Sequence, residues 1–196
     1  MVAARFAPNS LKLLEESIHY WQKQGYAFVD LPWIVEEHYT AVTRPPGGKE
    51  VPTVYGNLVA SGEQSFLKLF TENVLPQARG YIGWTPCFRD EPVLDALHHF
   101  YFLKSEVFVP RPTEAAAFEE LPLLLTLQTA FFEELIRSLS THQAPVVREI
   151  ISTHQVDLCL NGIEIGSYGV RAYEGCWYLY GTALALPRFT AAMEHD

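Results

Sequence analysis

Residues 156–171 read VDLCLNGIEIGSYGVR. Asn161-Gly162 is the strongest short hairpin signal, because a two-residue type I′ turn needs positive φ at both central positions. That turn sets a register. Leu160 lies opposite Ile163, Cys159 opposite Glu164, Leu158 opposite Ile165, and Asp157 opposite Gly166. Strand side chains alternate between faces, so Leu158, Leu160, Ile163 and Ile165 form one apolar, core-directed face. Asp157, Cys159, Glu164 and Gly166 form the other. Asp157 and Glu164 become diagonal neighbours with Cα atoms roughly 7–8 Å apart. Two carboxylates so placed repel unless a cation or a proton lies between them. Mg²⁺ takes one or two carboxylates plus phosphate oxygens, so the pair reads as a metal–phosphate platform or as a solvated polar face. Gly166 and Gly169 suggest a bulge or a close backbone approach. A bulge would also reverse the parity that otherwise turns Arg171 away from Glu164.

Upstream, CFRDE (87–91) puts Arg89 and Glu91 on one strand face, with Phe88 pointing the other way. On the next strand Phe100, Phe102, Lys104 and Glu106 share a face. If these strands pair, an Arg, a carboxylate and an aromatic converge. Arg suits a phosphate and a ring suits stacking on a purine. The alternative is a surface salt bridge beside a core Phe.

The pattern outside these segments completes an α+β plan of helices packed on a sheet. Leu11, Leu14, Ile18 and Trp21 recur at helical spacing after Asn9-Ser10, and Gly25 supplies a stop. Residues 26–34 read as a strand, and 43–52 (TRPPGGKEVP) as a surface loop. Ser61 opens a second helix, with Ser61 and Gln64 fitting a capping box. Strands are predicted over 81–91 and 99–109, joined by the loop 92–98. A helix follows over 113–140 that Pro122 breaks or kinks early. Strands return over 155–189.

Composition bounds the reading further. The chain has 196 residues, 48% hydrophobic and 13% aromatic, enough for one domain with a real core. Its net charge of −9 disfavours extensive nucleic-acid binding, which rests on basic surfaces. Cys87, Cys159 and Cys176 are far apart and read as reduced thiols rather than a disulfide frame. No signal pattern or membrane-length apolar run is present, so a cytoplasmic location is expected.

Together these residues resemble the catalytic domain of class II aminoacyl-tRNA synthetases. GYAFVDLPWI (25–34), with Pro32, is similar to motif 1, which builds the family's dimer interface. CFRDE, its loop and HHFYFLKSE (98–106) are similar to motif 2. GTALALPRF (181–189) is similar to motif 3. The resemblance implies an antiparallel sheet flanked by helices, with ATP, Mg²⁺ and an amino acid as ligands. Arg89 would hold the α-phosphate and the amino-acid carboxylate. Glu91 and His98 would contact adenine or the far phosphates. Phe102 would stack on adenine, and Arg188 would cap its other face and reach the γ-phosphate. Arg89 and Arg188 would be the catalytic pair. Asp157 and Glu164 would be the metal carboxylates. The spacing DxxxNGxE looks most like the aspartyl/asparaginyl branch. In that branch the residue seven after the glutamate, here Arg171, helps read the substrate side chain. SGE (61–63) is similar to the turn whose acid takes the substrate ammonium, which makes Glu63 the first candidate and Gln64 the second. Glu106 joins the amino-acid-binding set.

The sequence departs from the pattern at motif 3, where Ala183 and Ala185 replace glycines and Pro187 replaces an acid. A methyl at either alanine could crowd adenine. The helix after motif 3 is expected to be nearly absent. The expectation is a single catalytic domain over 1–196 without an anticodon-binding domain, a homodimer, for which ordinary tRNA is an unlikely partner. The implied activity is aminoacyl-adenylate formation with transfer to another acceptor, such as a carrier protein, a small amine or ammonia. The alternative is a catalytically degenerate paralogue that binds amino acid or nucleotide and regulates a partner. A third reading keeps tRNA as acceptor through a separate subunit.

Overall fold

The computed structural model describes residues 9–44, 48–90, 93–95, 97–140 and 144–195. In chain order the elements are α1 (Ser10–Lys23), β1 (Ala27–Phe28), β2 (Ile34–Val35), α2 (Glu37–Thr43), β3 (Val51–Thr53), β4 (Gly56–Leu58), α3 (Gly62–Thr71), β5 (Tyr81–Phe88), β6 (Tyr101–Arg111), α4 (Glu114–Leu139), β7 (Val147–Ser152), β8 (Gln155–Leu160), β9 (Ile163–Tyr173), β10 (Cys176–Leu186) and α5 (Arg188–Met193). A seven-stranded sheet runs β1-β5-β6-β10-β9-β8-β7. Its neighbours are antiparallel except β1 and β5, which are parallel. A second sheet runs β2-β4-β3. The α+β plan therefore holds.

The large sheet is covered on both faces. Helices α1 and α4 pack on one, around Trp21, Leu124, Phe132, Tyr168 and Leu179. Helices α2 and α3 cover part of the other, around Tyr39, Phe66, Phe108 and Tyr178. The uncovered part of that second face becomes the cavity described below. Alternation assigns the β6 side chains: Val107 and Val109 join the first cluster, Phe108 the second.

Several sequence expectations are corrected. The predicted strand over 26–34 divides into β1 and β2, which belong to different sheets. The 43–52 segment is not all loop, because β3 begins at Val51. The strand predicted to 91 ends at Phe88. In α1 the buried stripe is Leu13, Leu14, Ser17 and Trp21, while Leu11 is 68% exposed. Pro122 does not end α4, which runs unbroken through it. The proline lies on the exposed side, where water can take the carbonyl it leaves unbonded. The strand predicted to 189 ends at Leu186, and α5, six residues long, begins at Arg188 within the motif 3 segment.

The hairpin forms with Asn161 and Gly162 at φ +50° and +74°. Its first two pairs, Leu160–Ile163 and Cys159–Glu164, match the expected register. The next two do not: Leu158 pairs with Gly166 and Asp157 with Ser167. Ile165 is the extra residue of a bulge. It stays in the core at 0% exposure, and the parity beyond it reverses. Ser167 and Arg171 then face the same side as Glu164, while Tyr168 and Val170 are core.

Gly169 permits a close crossing next to this bulge. A Cβ there would lie 2.1 Å from the His154 carbonyl oxygen and 2.8 Å from the Tyr180 hydroxyl. Gly169→Ala is therefore expected to cost about 1–3 kcal/mol, as overpacking does, read as a lower urea midpoint at unchanged slope. A variant as stable as the parent would contradict this packing.

Candidate functional site

The uncovered face of the large sheet and the N-terminus of α3 enclose a cavity of about 420 Å³. Its inner end is built by α3, β9 and β10. Ser61 caps α3, its hydroxyl accepting from the Glu63 N–H at 3.3 Å. The cap sets Glu63 in the first helical turn, where the N-terminal dipole favours a carboxylate. Glu63 is only 4% exposed, and both its oxygens have partners. The Tyr178 hydroxyl donates to one at 2.9 Å, and Arg171 Nη1 to the other at 2.6 Å. Arg171 lies with its guanidinium carbon 3.9 Å from the Tyr180 ring centroid. Burial opposes the Arg171 charge, but the Glu63 carboxylate and Tyr180 outweigh it and hold the guanidinium above its ordinary value. Burial first, and Glu63 second, push the Tyr178 phenol up.

Glu106 and Gln64 also line this end, but protein groups occupy them. Glu106 accepts from the Ser61 hydroxyl at 2.6 Å, from the Gly62 N–H, and from Lys104 Nζ at 2.7 Å. It thus sits on the N-terminus of α3 as a second cap. Gln64 accepts from the Ala60 N–H at 2.9 Å and donates to the Thr40 carbonyl and the Thr43 hydroxyl. The capping box is displaced by one residue, since Gln64 reaches back to Ala60 rather than to Ser61. Both side chains fix α3 against its surroundings.

The outer end carries Arg89, Phe102 and His98. Arg89 follows β5, and its guanidinium carbon lies 5.0 Å from the Phe102 ring centroid. Its Nε donates to the Ala60 carbonyl at 3.3 Å. Glu91 lies outside the described residues. His98 lines the cavity from a turn that Asp95 organises. One Asp95 oxygen accepts from the backbone N–H groups of Leu97 and His98, both at 2.8 Å, and His98 Nδ1 approaches within 2.9 Å. The His98 side-chain bond, then these backbone bonds, lower the Asp95 carboxyl from 3.8 to about 2. A depressed carboxylate stabilises its turn above the unfolded pKa and loses that contribution as pH falls through the folded one. The Asp95 carboxyl carbon should titrate with a midpoint near 2 by NMR. A midpoint near 3.8 would mean the turn is not capped in solution.

The hairpin carboxylates separate. Glu164 lines the cavity and accepts from Arg188 Nη1 at 3.2 Å. Asp157, one strand further out, is not among the lining residues and accepts from Gln155 Nε2 at 3.1 Å. It does share a face with Cys159 and Glu164. Burial, then Glu149, and then Asp157 and Glu164 push the Cys159 thiol up to about 11. Among the described residues no three His, Cys, Asp or Glu side chains gather as a metal site.

The motif 3 alanines also divide. A second bulge, between Thr182 and Leu184, turns Ala183 into the core at 0% exposure, and its carbonyl accepts from Gln128 Nε2. Only Ala185 presents its methyl to the cavity.

Sequence reading missed the wall formed by α2, β3 and β4. There Glu50 accepts from Thr40, Asn57 and Arg44 at 2.6, 2.6 and 2.7 Å. Lys49 pairs with Asp90 across the mouth at 3.4 Å. The signal was present: charges inside a Pro/Gly-rich stretch mark a loop held near a ligand as readily as a solvated one. Counted together, Arg44, Lys49, Arg89, Lys104, Arg171 and Arg188 line the cavity. Six of the 14 Lys and Arg residues of an acidic chain thus face one space. Five of them are paired there with Glu50, Asp90, Glu106, Glu63 and Glu164, so the lining is nearly charge-balanced, and Arg89 is held instead by the Ala60 carbonyl and the Phe102 ring.

No family model matches the sequence. No curated protein matches it either. Solved structures do. Seryl-tRNA synthetase from Pyrococcus horikoshii, complexed with ATP, superposes with a TM-score of 0.71 at 18% identity, over 95% of this chain and 50% of that one. The pyrrolysyl-tRNA synthetase PylSc of Desulfitobacterium hafniense gives 0.65 at 15% identity, over 94% and 68%. Prolyl-tRNA synthetase from Cryptosporidium parvum, complexed with halofuginone and AMPPNP, gives 0.65 at 14% identity, over 93% and 45%. The chain spans about half the length of the seryl and prolyl enzymes. The antiparallel sheet flanked by helices is the class II synthetase catalytic fold. The likeness assigns no branch within that class. Among the described residues no helix is long and apolar enough to cross a membrane.

Proposed function

We propose that the chain binds ATP and an amino acid and joins them as an aminoacyl-adenylate with release of pyrophosphate. The observation that carries this reading is one cavity with Arg89, Phe102 and Arg188 at one end and Glu63 and Arg171 at the other. A nucleotide needs the first set and a zwitterionic head the second. The amino-acid carboxylate oxygen attacks the α-phosphorus. A new P–O bond forms there, and the bond to the bridging oxygen breaks so that pyrophosphate carries away the electron pair. No side-chain nucleophile takes part. Catalysis comes from holding the two anions in line and from cations aimed at the charge that develops.

In this reading Arg89 leaves the Phe102 ring for the α-phosphate and the carboxylate, and adenine takes the ring face. Arg188 faces the adenine and the γ-phosphate, and His98 lies at the same end. Glu63 takes the ammonium. Glu106 and Gln64 keep α3, and hence Glu63, in place. Glu91 stays a candidate for adenine by its position after Arg89. Glu164 alone of the two hairpin carboxylates fits a Mg²⁺, because it faces the cavity and one carboxylate with phosphate oxygens suffices. When bound, the ion would neutralise phosphate charge. The acyl group would pass to a carrier protein, a small amine or ammonia. Phe28 and Trp33, 43% and 48% exposed near the β1 edge, are the apolar groups a homodimer through that region would cover.

The Ala185 methyl in the cavity favours a second reading, a degenerate paralogue that binds ligands without turnover. Amino-acid-dependent ATP–pyrophosphate exchange separates the two. Exchange with at least one amino acid supports the first. Measurable ATP binding with no exchange supports the second.

A further inference from the structure

We infer that the amino acid taken by this site is one whose side chain carries no net charge. The inference deepens the proposed function and rests on its assignment of the inner end to the amino acid. The inner end holds two ion pairs, Glu63 with Arg171 at 2.6 Å and Glu106 with Lys104 at 2.7 Å. The carboxylates are 4% and 5% exposed, and the cations 35% and 13%. Their charges cancel in place. The other polar groups there, among them Ser61, Gln64, Tyr180, Ser167 and Thr182, are neutral and line the same space.

A zwitterionic head fits this arrangement. An ionised carboxylate offers about four lone-pair sites. Glu63 can therefore hold Tyr178, Arg171 and an ammonium together, while the carboxylate turns outward to Arg89. A side-chain charge finds no such partner. Arg171 is already matched by Glu63, and Lys104 by Glu106. An acidic side chain would have to draw Arg171 from a buried carboxylate and leave that carboxylate unmatched, which is costly. A basic side chain would have to share Glu63 with Arg171 and the α-ammonium, or Glu106 with Lys104, and would bring a charge that no unmatched carboxylate there balances. Arg171 read alone points to an aspartate-like substrate. Read with Glu63 against it, Arg171 becomes the partner that keeps the site neutral.

The test uses the full chain and all twenty amino acids in two assays, pyrophosphate exchange and calorimetric binding in the presence of a non-hydrolysable ATP analogue. A neutral amino acid should be preferred, with aspartate, glutamate, lysine and arginine at least about 100-fold weaker. A charged amino acid preferred in either assay overturns the inference and leaves adenylate formation standing. Binding of a neutral amino acid without exchange supports the inference and overturns adenylate formation. No binding of any amino acid overturns both. Glu63→Gln, which leaves Arg171 unmatched, should raise the aspartate-to-neutral binding ratio at least about tenfold. An unchanged ratio overturns the inference. Should that variant fail to fold, Arg171→Met should raise the lysine-to-neutral ratio instead, and an unchanged ratio there has the same meaning.

Discussion

Arg89→Ala should lower kcat/KM for amino-acid-dependent pyrophosphate exchange by about 1,000-fold, the upper end of what one preorganised electrostatic donor contributes. The reason lies in what holds Arg89 now. Its Nε bond to the Ala60 carbonyl is long at 3.3 Å, and its contact with Phe102 is a cation–π approach at 5.0 Å. Each contributes about 0.5–1 kcal/mol at a partly exposed site. Arg89 is therefore loosely held, and its removal should shift Tm by only a few degrees. Activity and stability thus come apart in this variant. Arg89→Lys keeps the charge but loses the fork that grips two oxygens, and should recover only part of the rate. A loss below tenfold for Arg89→Ala would move the phosphate grip to another cation of the cavity.

Glu106→Ala should do the opposite. It strips partners from the Ser61 hydroxyl, the Gly62 N–H and the Lys104 ammonium, all at the buried start of α3. Removing one member of a buried pair costs about 3–5 kcal/mol. In a domain of this size each kcal/mol corresponds to about 2–4 °C, so Tm should fall by roughly 6–20 °C. Glu106→Gln keeps an acceptor for the Gly62 N–H and should fall less. If Glu106 instead bound substrate directly, KM would rise while Tm stayed in place. The two variants together therefore tell a positioning residue from a contacting one by thermal melts and a KM-against-kcat comparison.

What the sequence made legible was local. Asn161-Gly162 announced its turn, and the apolar face of Leu158, Leu160, Ile163 and Ile165 followed from alternation. Gly166 and Gly169 signal the first bulge and its effect on Arg171, and it falls at Ile165, beside Gly166. The second gives no such signal, because one extra residue at Ala183 leaves the surrounding pattern of apolar residues intact. Yet those two residues decide that Arg171 faces the cavity and that Ala183 does not. The small sheet was invisible because β2, β3 and β4 have two or three residues each, too few to show a period. The occupation of Glu106 was equally hidden: its face was readable, but Ser61 is 45 residues away in sequence. Most of the candidate residues line one cavity, whereas their present partners were not foreseen. Partners come from the tertiary fold, and the strand period records only the side.

The wall of α2, β3 and β4 has a consequence for how the molecule breathes. Strand β3 is short and mostly exposed, and β4 is only half-buried. Glu50 joins Asn57 of β4 to Thr40 of α2, and Gln64 ties α2 to α3, so hydrogen bonds rather than a core of its own hold the wall. Such a unit opens on its own, below the energy of global unfolding. Because it forms one side of the cavity, its opening dissolves the site. A ligand at 100 times its Kd should then slow hydrogen exchange of the β3 and β4 amides about 100-fold. The gain should be large in these short strands, so nucleotide occupancy can be read from the backbone of residues that touch no motif.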